Sequence, residues 1–377
     1  MKNEGLRTWI EISKKALKNN YSIFRKLIGP KCQLMAVVKS NAYGHSLVDF
    51  SRLVGDFGVD WLGVDSIVEA ESLRREGIKK PVLVLGYTLL GKVEEATKNN
   101  VSLTVADLET LRNLRNFGRD GKKLKIHLKI DTGMHRQGFF VSEIPEVIKI
   151  LKSKPNIKLE GVYTHFSSAK DLASPSETLE QIEEFKKAIG LLESAGFKNF
   201  IKHASATAGA ILFPESHFDM VRIGIGLYGL WPSKEIKNAF KNKIKLEPVL
   251  SWKTIVGQIR KIPKGSGIGY DLTEKITRNS MIAVLPIGYW HGFPRLLSSV
   301  GSVLVRGNKM RVLGRVSMDM VCINVTSVKS VKVGDDVILI GKSGKFEISA
   351  DDIADLSGTT SYEIITRINP LIKRIIV

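Results

Sequence analysis

The stretch KLKIHLKID, residues 123–131, carries the strongest indication of the fold. Its side chains alternate between polar and apolar with a period of two, which is the pattern of a β-strand. On a barrel strand, the apolar set can face the surrounding helices while the polar set faces inward. The polar set is Lys125, His127, Lys129 and Asp131. Because buried polar groups are costly unless they are paired, we expect these side chains to join an internal network.

On both sides of this stretch, from about Gln33 to Leu230, short apolar runs alternate with longer amphipathic runs. Such alternation predicts a parallel sheet with crossover helices. Eight strands in about 200 residues favour an α/β fold of the (β/α)8 TIM-like barrel type, with a doubly wound open sheet as the alternative. The predicted strands are 33–38, 60–64, 81–86, 101–105, 123–130, 158–165, 200–204 and 220–226. The predicted helices include 66–77, 92–100, 107–118 and 176–196.

After Trp231 the pattern changes to strand-like segments with few helices. We therefore predict two domains: a (β/α)8 barrel at 13–239 and a C-terminal mainly-β domain at 240–377. Residues 1–12 contain TWIEIS, a candidate additional strand of the β domain. The pair Gly307–Asn308 predicts a hairpin turn.

The composition is 43% hydrophobic and 25% charged, which is typical of a globular protein. No run of 18 apolar residues is present and the N-terminus lacks an apolar signal segment, so we expect no membrane partner. Two distant cysteines, Cys32 and Cys322, predict a reducing compartment and cytoplasmic localisation. The formal net charge of +19 comes from scattered lysines without interleaved aromatic residues, which favours a solvated surface over a nucleic-acid site.

Polar residues lie at the carboxyl ends of several predicted strands, the face where barrel enzymes build their sites. They are Arg136, His165, His203, Thr207 and Arg222. One such residue alone is more often structural, a satisfied core histidine or an ion-pair partner. Their recurrence on several strands predicts a ligand site. No metal-binding spacing such as H-E-x-x-H occurs, so we expect no metal.

A lysine ends the apolar run of AVVKSNAYGHS, the stretch at 36–46. Most lysines are solvated charges, but Lys39 inside a barrel mouth would have a pKa lowered by desolvation and nearby cations. Such an amine can form a Schiff base with a carbonyl. The hydroxyls of Tyr43 and Thr207, with the backbone amides of Gly224 and Ile225, can hold a phosphate. A lysine, a phosphate cup and a buried arginine together indicate pyridoxal 5′-phosphate.

The motifs resemble those of alanine racemases over essentially the whole chain. They are VVKSNAYGHS, KIDTGMHRQGF, YTHFSSA, HASATAGA, VRIGIGLYGL, GIGY, LPIGY, GRVSMDM and SYEI, in this order. The resemblance implies a pyridoxal-phosphate barrel of fold type III, a C-terminal β domain and a head-to-tail homodimer. In that arrangement, residues around 240–377 of one subunit help to close the site of the other.

The resemblance also implies roles for single residues. Lys39 resembles the lysine that binds the cofactor and acts as one catalytic base, and Tyr270 resembles the opposite base, supplied by the partner subunit. Racemisation needs such a pair, because a proton leaves one face of a planar carbanion and another arrives on the other face. Arg222 resembles the arginine at the pyridine nitrogen. His165 resembles its partner in the polar chain that lowers the pKa of the tyrosine.

Further roles follow from the same resemblance. Five residues resemble the phosphate ligands: Tyr43, Thr207, Gly224, Ile225 and Tyr362. Arg136, Met318 (through its backbone amide) and Asp319 resemble the residues on the substrate-carboxylate side. The supporting residues are Lys129, which is carbamylated in some family members, His203, Tyr289 and Arg315.

The implied function is interconversion of L- and D-alanine, supplying D-alanine for peptidoglycan precursors. A racemase of serine, of lysine or of a broader amino-acid range on the same scaffold is the alternative among enzymes. A non-catalytic cofactor carrier or a nucleic-acid-binding protein is the alternative from another class. The chain departs from the family pattern at Ser40, Ala206, Asp271, Trp290 and His291, which leaves the substrate range open.

Overall fold

The computed structural model describes residues 5–114 and 123–377. The chain forms two compact units. The first consists of Ala16–Ala42 and Leu47–Glu247. The second consists of the N-terminal segment through Lys15, Tyr43–Ser46 and Pro248–Val377. Within the described ranges, no helix has the length and apolar character needed to span a membrane.

The first unit contains a parallel eight-stranded sheet, and strands are numbered here in chain order, with β1 in the second unit. Its strands are β2 (Gln33–Val37), β3 (Trp61–Val64), β4 (Val82–Val84), β5 (Ser102–Val105), β6 (Leu124–Lys129), β7 (Ile157–Tyr163), β8 (Ile201–His203) and β9 (Met220–Ile223). The spatial order is β8-β7-β6-β5-β4-β3-β2-β9. Consecutive strands are therefore neighbours, and the last strand pairs with the first. All eight predicted strands are confirmed.

Backbone hydrogen bonds also bridge the remaining gap, between β8 and β9. The N–H of Asp219 donates to the carbonyl of Lys202 over 3.0 Å at one end of the gap. The N–H of Arg222 donates to the carbonyl of Ser205 over 2.9 Å at the other end. The sheet is thus a nearly closed barrel, as predicted. The doubly wound alternative is wrong, because such a sheet reverses its strand order and keeps two open edges.

Helices connect these strands, and most of them have one buried face. They are Lys14–Ile28, Leu47–Phe57, Ile67–Arg75, Val93–Lys98, Leu108–Asn113, Ile144–Lys152, Ser176–Ser194, Thr207–Leu212 and Lys234–Phe240. In Ile144–Lys152 the buried residues recur every three or four positions, which is the spacing of an amphipathic helix. The helix predicted at 107–118 is present at Leu108–Asn113, and its last four positions lie outside the described residues.

Strand β6 is buried on both of its faces. Its apolar residues Leu124, Ile126 and Leu128 are buried, as expected for side chains that pack under helices. His127 and Lys129 are buried as well, at 0% and 6% exposure, because the opposite face lines the barrel interior. For His127 the expected internal partner is present, since its Nδ1 lies 2.9 Å from Nε2 of His203 in β8.

The second unit is mainly β. Its strands are β1 (Thr8–Ile12), β10 (Leu250–Ile255), β11 (Gln258–Ile262), β12 (Gly267–Ile268), β13 (Glu274–Lys275), β14 (Ser280–Leu285), β15 (Ser302–Val305), β16 (Asn308–Leu313), β17 (Val321–Asn324), β18 (Asp336–Ser343), β19 (Phe346–Ile348) and β20 (Lys373–Ile376). Two helices, Ala350–Leu356 and Ser361–Thr366, belong to this unit. The main sheet has the order β11-β14-β17-β16-β15-β18-β10-β1-β20, with β19 beside β18. Strand β1 pairs antiparallel with β10 and parallel with β20.

The predicted hairpin between β15 and β16 is present, but its turn lies one residue earlier than predicted. Val305 pairs with Asn308, which leaves Arg306 and Gly307 as the two turn residues. Both have positive φ, 47° and 73°, as a two-residue turn of this kind requires. Asn308 instead begins the next strand.

Candidate active site

The chain makes a left-handed turn directly after Lys39. The four residues of this turn, Ser40–Tyr43, have φ between 50° and 56°. Left-handed backbone costs an L-residue roughly 1–2 kcal/mol, so the turn needs support from its surroundings. Oε1 of Glu69 accepts the backbone N–H of Ser40 over 2.7 Å and that of Asn41 over 3.3 Å. The carboxylate therefore holds the turn that follows the lysine.

Lys39 is paired rather than buried. Its Nζ lies 3.4 Å from Oδ1 of Asp65, and 39% of its side chain is exposed. The expectation of a desolvated amine is thus not met in the described chain, because the strand end carries the side chain into a partly open region. An ion pair as exposed as this contributes at most about 1 kcal/mol to stability.

Arg222 of β9 is buried in the barrel and surrounded by neutral acceptors. Its Nη1 donates to Nδ1 of His203 over 2.9 Å. Its Nη2 donates to the carbonyls of Thr164 and Ala204, each over 2.7 Å, and contacts Nδ1 of His165 at 3.2 Å. Burial lowers the pKa of Arg222 to about 10, so the guanidinium stays protonated at neutral pH.

These contacts determine the protonation of the two histidines. Because arginine can only donate, Nδ1 of both His165 and His203 carries a lone pair. Burial, followed by the charges of Arg222 and Arg136, lowers the pKa of His165 to about 3. Burial also lowers the pKa of His203 well below its ordinary value. Both rings are therefore neutral, with the proton on Nε2.

Positive charge gathers around these residues. Burial and the charges of Arg136, Arg222 and Lys39 lower the pKa of Lys129 to about 8. Burial and then the charges of Arg222, Arg136, Lys129 and Lys39 lower the pKa of His165. A group of cations gathered in this way favours an anionic ligand.

Asp131 supports the loop that follows β6. Its carboxylate accepts the backbone N–H groups of Gly133 and His135 at 3.0 Å each, and that of Arg136 at 3.1 Å. Burial alone would raise the pKa of Asp131, but these donors lower it overall. The loop and Arg136 are thereby fixed at the carboxyl end of the strand.

The structure brings together three of the residues predicted to bind phosphate: Thr207, Gly224 and Ile225. Thr207 is buried at the start of the helix Thr207–Leu212, and its Oγ1 accepts the N–H of Gly226 over 3.3 Å. Residues Gly224 and Ile225 immediately precede that glycine, and Ile225 is 2% exposed. A side chain at Gly226 would collide with Phe24, so only glycine allows this close approach.

The other two predicted phosphate residues, Tyr43 and Tyr362, lie in the second unit. Their ring centroids are 6.1 Å apart, with the planes tilted by 52°. Burial raises the pKa of Tyr43 to about 12. Burial, with the neighbouring Tyr43, also raises the pKa of Tyr362. Both phenols are therefore hydrogen-bond donors at neutral pH.

Two loops of the second unit pack closely through their backbones. The N–H of Tyr289 donates to the carbonyl of Ser317 over 3.0 Å, and that of Trp290 donates to the carbonyl of Met318 over 3.1 Å. A side chain at Gly288 would collide with these same carbonyl groups. The structure thus brings the predicted supporting residue Tyr289 beside the predicted substrate residue Met318.

Tyr270 lies 69% exposed at the start of a short turn. The next residue, Asp271, has a φ of 58° and forms an ion pair with Arg315, with Oδ2 and Nε 3.0 Å apart. Asp319 lies 3.9 Å from Nδ1 of His291, but that atom already accepts the N–H of Gly288, so the contact is not an ion pair. The ion pair between Asp271, which departs from the family pattern, and Arg315 thus adds a contact to a predicted supporting residue.

Sequence reasoning missed two carboxylates. Glu69 follows Ser66 by three residues, and Ser66 Oγ accepts its N–H over 3.3 Å. This is the S-x-x-E pattern of a helix start, which was the available signal. Glu160 is a single carboxylate within the apolar strand β7 and is 8% exposed. Its position inside a buried strand was the only signal that it needed partners.

A nearly closed parallel barrel, with cations gathered at the carboxyl ends of its strands, defines a barrel enzyme that acts on an anionic ligand. Among the described residues, no group of three or more His, Cys, Asp or Glu side chains could hold a metal ion. The model of the alanine racemase N-terminal domain matches residues 12–232, and that of the alanine racemase C-terminal domain matches residues 249–376. The chain belongs to the alanine racemase family, whose members are pyridoxal-phosphate-dependent isomerases.

Individual relatives agree over the full length. The chain is 41% identical to the alanine racemase of Leptospira interrogans, over 98% of this chain and 96% of the relative. It is 40% identical to the alanine racemase of Methanococcus maripaludis, over 97% and 98%. The predicted family is confirmed.

Solved structures show the same fold. The alanine racemase of Clostridium difficile 630 superposes with a TM-score of 0.93 at 35% identity, covering 99% of this chain and 96% of that one. The enzyme of Bacillus anthracis, solved with bound L-Ala-P, has a TM-score of 0.93 at 36% identity, over 98% and 95%. The predicted fold class is confirmed by these structures.

Proposed function

We propose that this chain interconverts L- and D-alanine with pyridoxal 5′-phosphate, using Lys39 and Tyr270 as opposing bases. The observation that carries the proposal is Arg222, which is buried and protonated and is held by neutral acceptors only. Among the described residues, Nη1 forms one hydrogen bond with its two N–H groups, so a second N–H can donate to a further acceptor, and the surrounding cations favour an anion. A phosphorylated aldehyde with an acceptor ring nitrogen meets both conditions.

The residues present fit this cofactor. Thr207, Gly224 and Ile225 would hold its phosphate from the barrel, and Tyr43 and Tyr362 would donate phenolic hydrogen bonds to the same group. Lys39 would supply the amine for covalent attachment. When bound, pyridoxal phosphate supplies a carbonyl for amines and an electron-withdrawing ring.

Arg222 would donate to the ring nitrogen. Because its pKa of about 10 is still far above neutrality, it would hold its proton rather than transfer it. A ring nitrogen that stays unprotonated withdraws electrons weakly, which disfavours transamination and decarboxylation. Related barrel decarboxylases are expected to carry an acidic residue at this position, so the arginine favours racemisation over decarboxylation.

The proton would be moved by two groups on opposite faces. Nζ of Lys39 would take or return the substrate α-proton on one face, and Oη of Tyr270 would do so on the other. Arg136, the backbone amide of Met318 and Asp319 would orient the substrate carboxylate. Lys129 would steady Arg136.

The tyrosine would come from a second copy of the chain, in a homodimer with shared sites. In support, large side chains lie exposed on neighbouring loops of the second unit: Tyr270 69%, Trp290 59%, Met318 54% and Met320 58%. Contiguous exposed apolar surface of this kind marks an interaction site. A cytoplasmic location fits the two free cysteines, Cys32 and Cys322, and a role in supplying D-alanine for peptidoglycan fits the reaction.

The decisive experiment supplies the purified protein and pyridoxal phosphate with single L-amino acids and measures the D-product. Alanine should be converted much faster than serine or lysine. If serine or lysine is converted faster than alanine, that amino acid is the substrate instead of alanine. No D-product from any amino acid, with cofactor bound, would refute racemase activity.

A further inference from the structure

A buried chain of polar groups leads from Arg222 across the barrel interior. Nε2 of His203 lies 2.9 Å from Nδ1 of His127. Nε2 of His127 lies 3.7 Å from Oε2 of Glu160. The exposed fractions are 3% for Arg222, 0% for both histidines and 8% for Glu160. The four groups thus connect one end of the barrel strands to the other out of contact with bulk water.

The contact with Arg222 and the contact with Glu160 favour the same direction of hydrogen bonds along this chain. Arg222 donates, so Nδ1 of His203 accepts and its proton is on Nε2. That proton is donated to Nδ1 of His127, which must therefore carry a lone pair. The proton of His127 is left on Nε2, facing Glu160. Every donor in the chain points away from the arginine.

Glu160 is suited to end such a chain because it stays ionised. Its carboxylate accepts a hydrogen bond from Oγ of Ser102, and the Nζ atoms of Lys125 and Lys158 lie 3.4 Å and 3.8 Å from Oε1. Burial alone would raise the pKa of Glu160, but the contacts with His127, Ser102 and Lys125 lower it to about 2. An ionised carboxylate can only accept, which matches the proton on Nε2 of His127.

Packing holds the rings but does not select the proton position. A side chain at Gly161 would collide with the ring of His127, so glycine makes room for it. The ring of Trp61 meets His127 edge-on at 5.5 Å, and Tyr163 stacks on His203 at 4.8 Å. Within the described ranges, Nε2 of His127 has no hydrogen-bond partner. Oε2 of Glu160, at 3.7 Å, is the carboxylate oxygen that it faces.

We propose that Glu160 is a positioning residue for Arg222: it attracts the Nε2 proton of His127 and thereby stabilises, together with Arg222 at the other end of the chain, the tautomers of His127 and His203. With these tautomers, Nδ1 of His203 accepts from Arg222 and holds the guanidinium in place. The reversed tautomers would put an N–H of His203 against an N–H of Arg222, and the two donors would repel. This inference rests on the proposed function in one respect: the fixed Arg222 would serve to donate to the ring nitrogen of the cofactor.

The test is a direct measurement of the tautomers. The holoenzyme is labelled with ¹⁵N-histidine, and two-bond ¹H–¹⁵N correlations are recorded between pH 6 and pH 9, with signals assigned through single histidine variants. The expected result is that His127 and His203 are both protonated on Nε2 only and do not titrate. A proton on Nδ1 of either ring in the unmodified protein overturns the proposal without any variant.

Glu160→Met removes the acceptor while keeping the length of the side chain. Its expected signature is a second population of His127 that is protonated on Nδ1, because Arg222 alone then favours the Nε2 form. We also expect kcat to fall about 10-fold to 100-fold, as when outer carboxylates that orient metal-binding histidines are removed. The matched control is Lys158→Met, which removes a neighbouring cation and should leave both tautomers unchanged.

A folded Glu160→Met protein with both tautomers unchanged overturns the proposal. Because the tautomers are measured without turnover, the absence of D-product in the racemase assay would refute the proposed function and not this inference. If Glu160→Met does not fold, Glu160→Gln is measured in its place. In a folded Glu160→Gln protein, the amide nitrogen can face His127. If it does, and kcat and the tautomers of His127 and His203 are unchanged, the proposal is overturned as well.

Discussion

The backbone N–H of Ser40 donates a hydrogen bond of 2.7 Å to Oε1 of Glu69. The same carboxylate accepts the N–H of Asn41 through Oε1 and, over 2.8 Å, that of Asp65 through Oε2. One side chain of the helix Ile67–Arg75 thus holds both the left-handed turn after Lys39 and the segment that carries its ion-pair partner.

Replacing Glu69 should therefore loosen this turn. Glu69→Ala leaves three backbone donors without their acceptor, so we expect a loss of about 1–3 kcal/mol in the free energy of unfolding. The amides of Ser40, Asn41 and Asp65 should exchange faster with deuterium. Glu76→Ala is the control, because Glu76 forms a half-exposed pair with Arg52 worth less than about 1 kcal/mol. Equal effects of the two variants would contradict the role given to Glu69.

Lys39→Ala should abolish covalent attachment of the cofactor. The expected result is that borohydride reduction links pyridoxal phosphate to Lys39 in the unmodified protein and to no lysine in the variant, with racemisation lost. The rival amine is Lys129, whose pKa is lowered to about 8 and which is therefore also nucleophilic. Peptide mapping after reduction checks the assignment. Cofactor found on Lys129 would show that Lys129, and not Lys39, is the attachment site.

Tyr270→Phe should keep the cofactor but lose proton exchange for one enantiomer. Without its hydroxyl, exchange on one face should fall by about 10²–10⁴-fold, while exchange on the Lys39 face persists. Incorporation of deuterium from D2O into L-alanine and D-alanine measures the two faces separately. In the control Tyr289→Phe, exchange of the two enantiomers should change to the same extent, because Tyr289 is not one of the two bases. Equal residual exchange of both enantiomers in Tyr270→Phe would count against a two-base mechanism.

Stability should fall as the pH drops below about 6.5. Burial and Arg222 lower the pKa of His165 to about 3 in the folded chain, whereas the unfolded chain keeps a value near 6.5. Below pH 6.5 the unfolded state therefore binds more protons, and each such histidine removes up to about 1.4 kcal/mol of stability per pH unit. Urea unfolding between pH 7 and pH 5 measures the slope. His165→Asn should reduce it, and an unchanged slope would contradict the neutral assignment of His165.

Much of the site could be predicted because the reactive residues lie at strand ends that the sequence pattern locates. Arg222 and His203 were both predicted at the carboxyl ends of strands, and they are hydrogen-bonded in the structure. Glu69 could not be placed, because its partners are backbone N–H groups 28 and 29 positions away, and such pairing leaves no side-chain pattern. The exposure of Lys39 was also missed, since a strand pattern predicts which residue ends the strand but not how open its surroundings are.

The sequence by itself determined the alternation of strands and helices, the second mainly-β unit and the family, since these depend on local periodicity and on the order of short motifs. Only the tertiary structure decided which polar side chains became partners. The chain Arg222–His203–His127–Glu160 joins residues that are distant in sequence, and its direction follows from the fact that arginine cannot accept a hydrogen bond. That constraint acts only when the groups lie within hydrogen-bond reach of one another, which the closure of the barrel brings about.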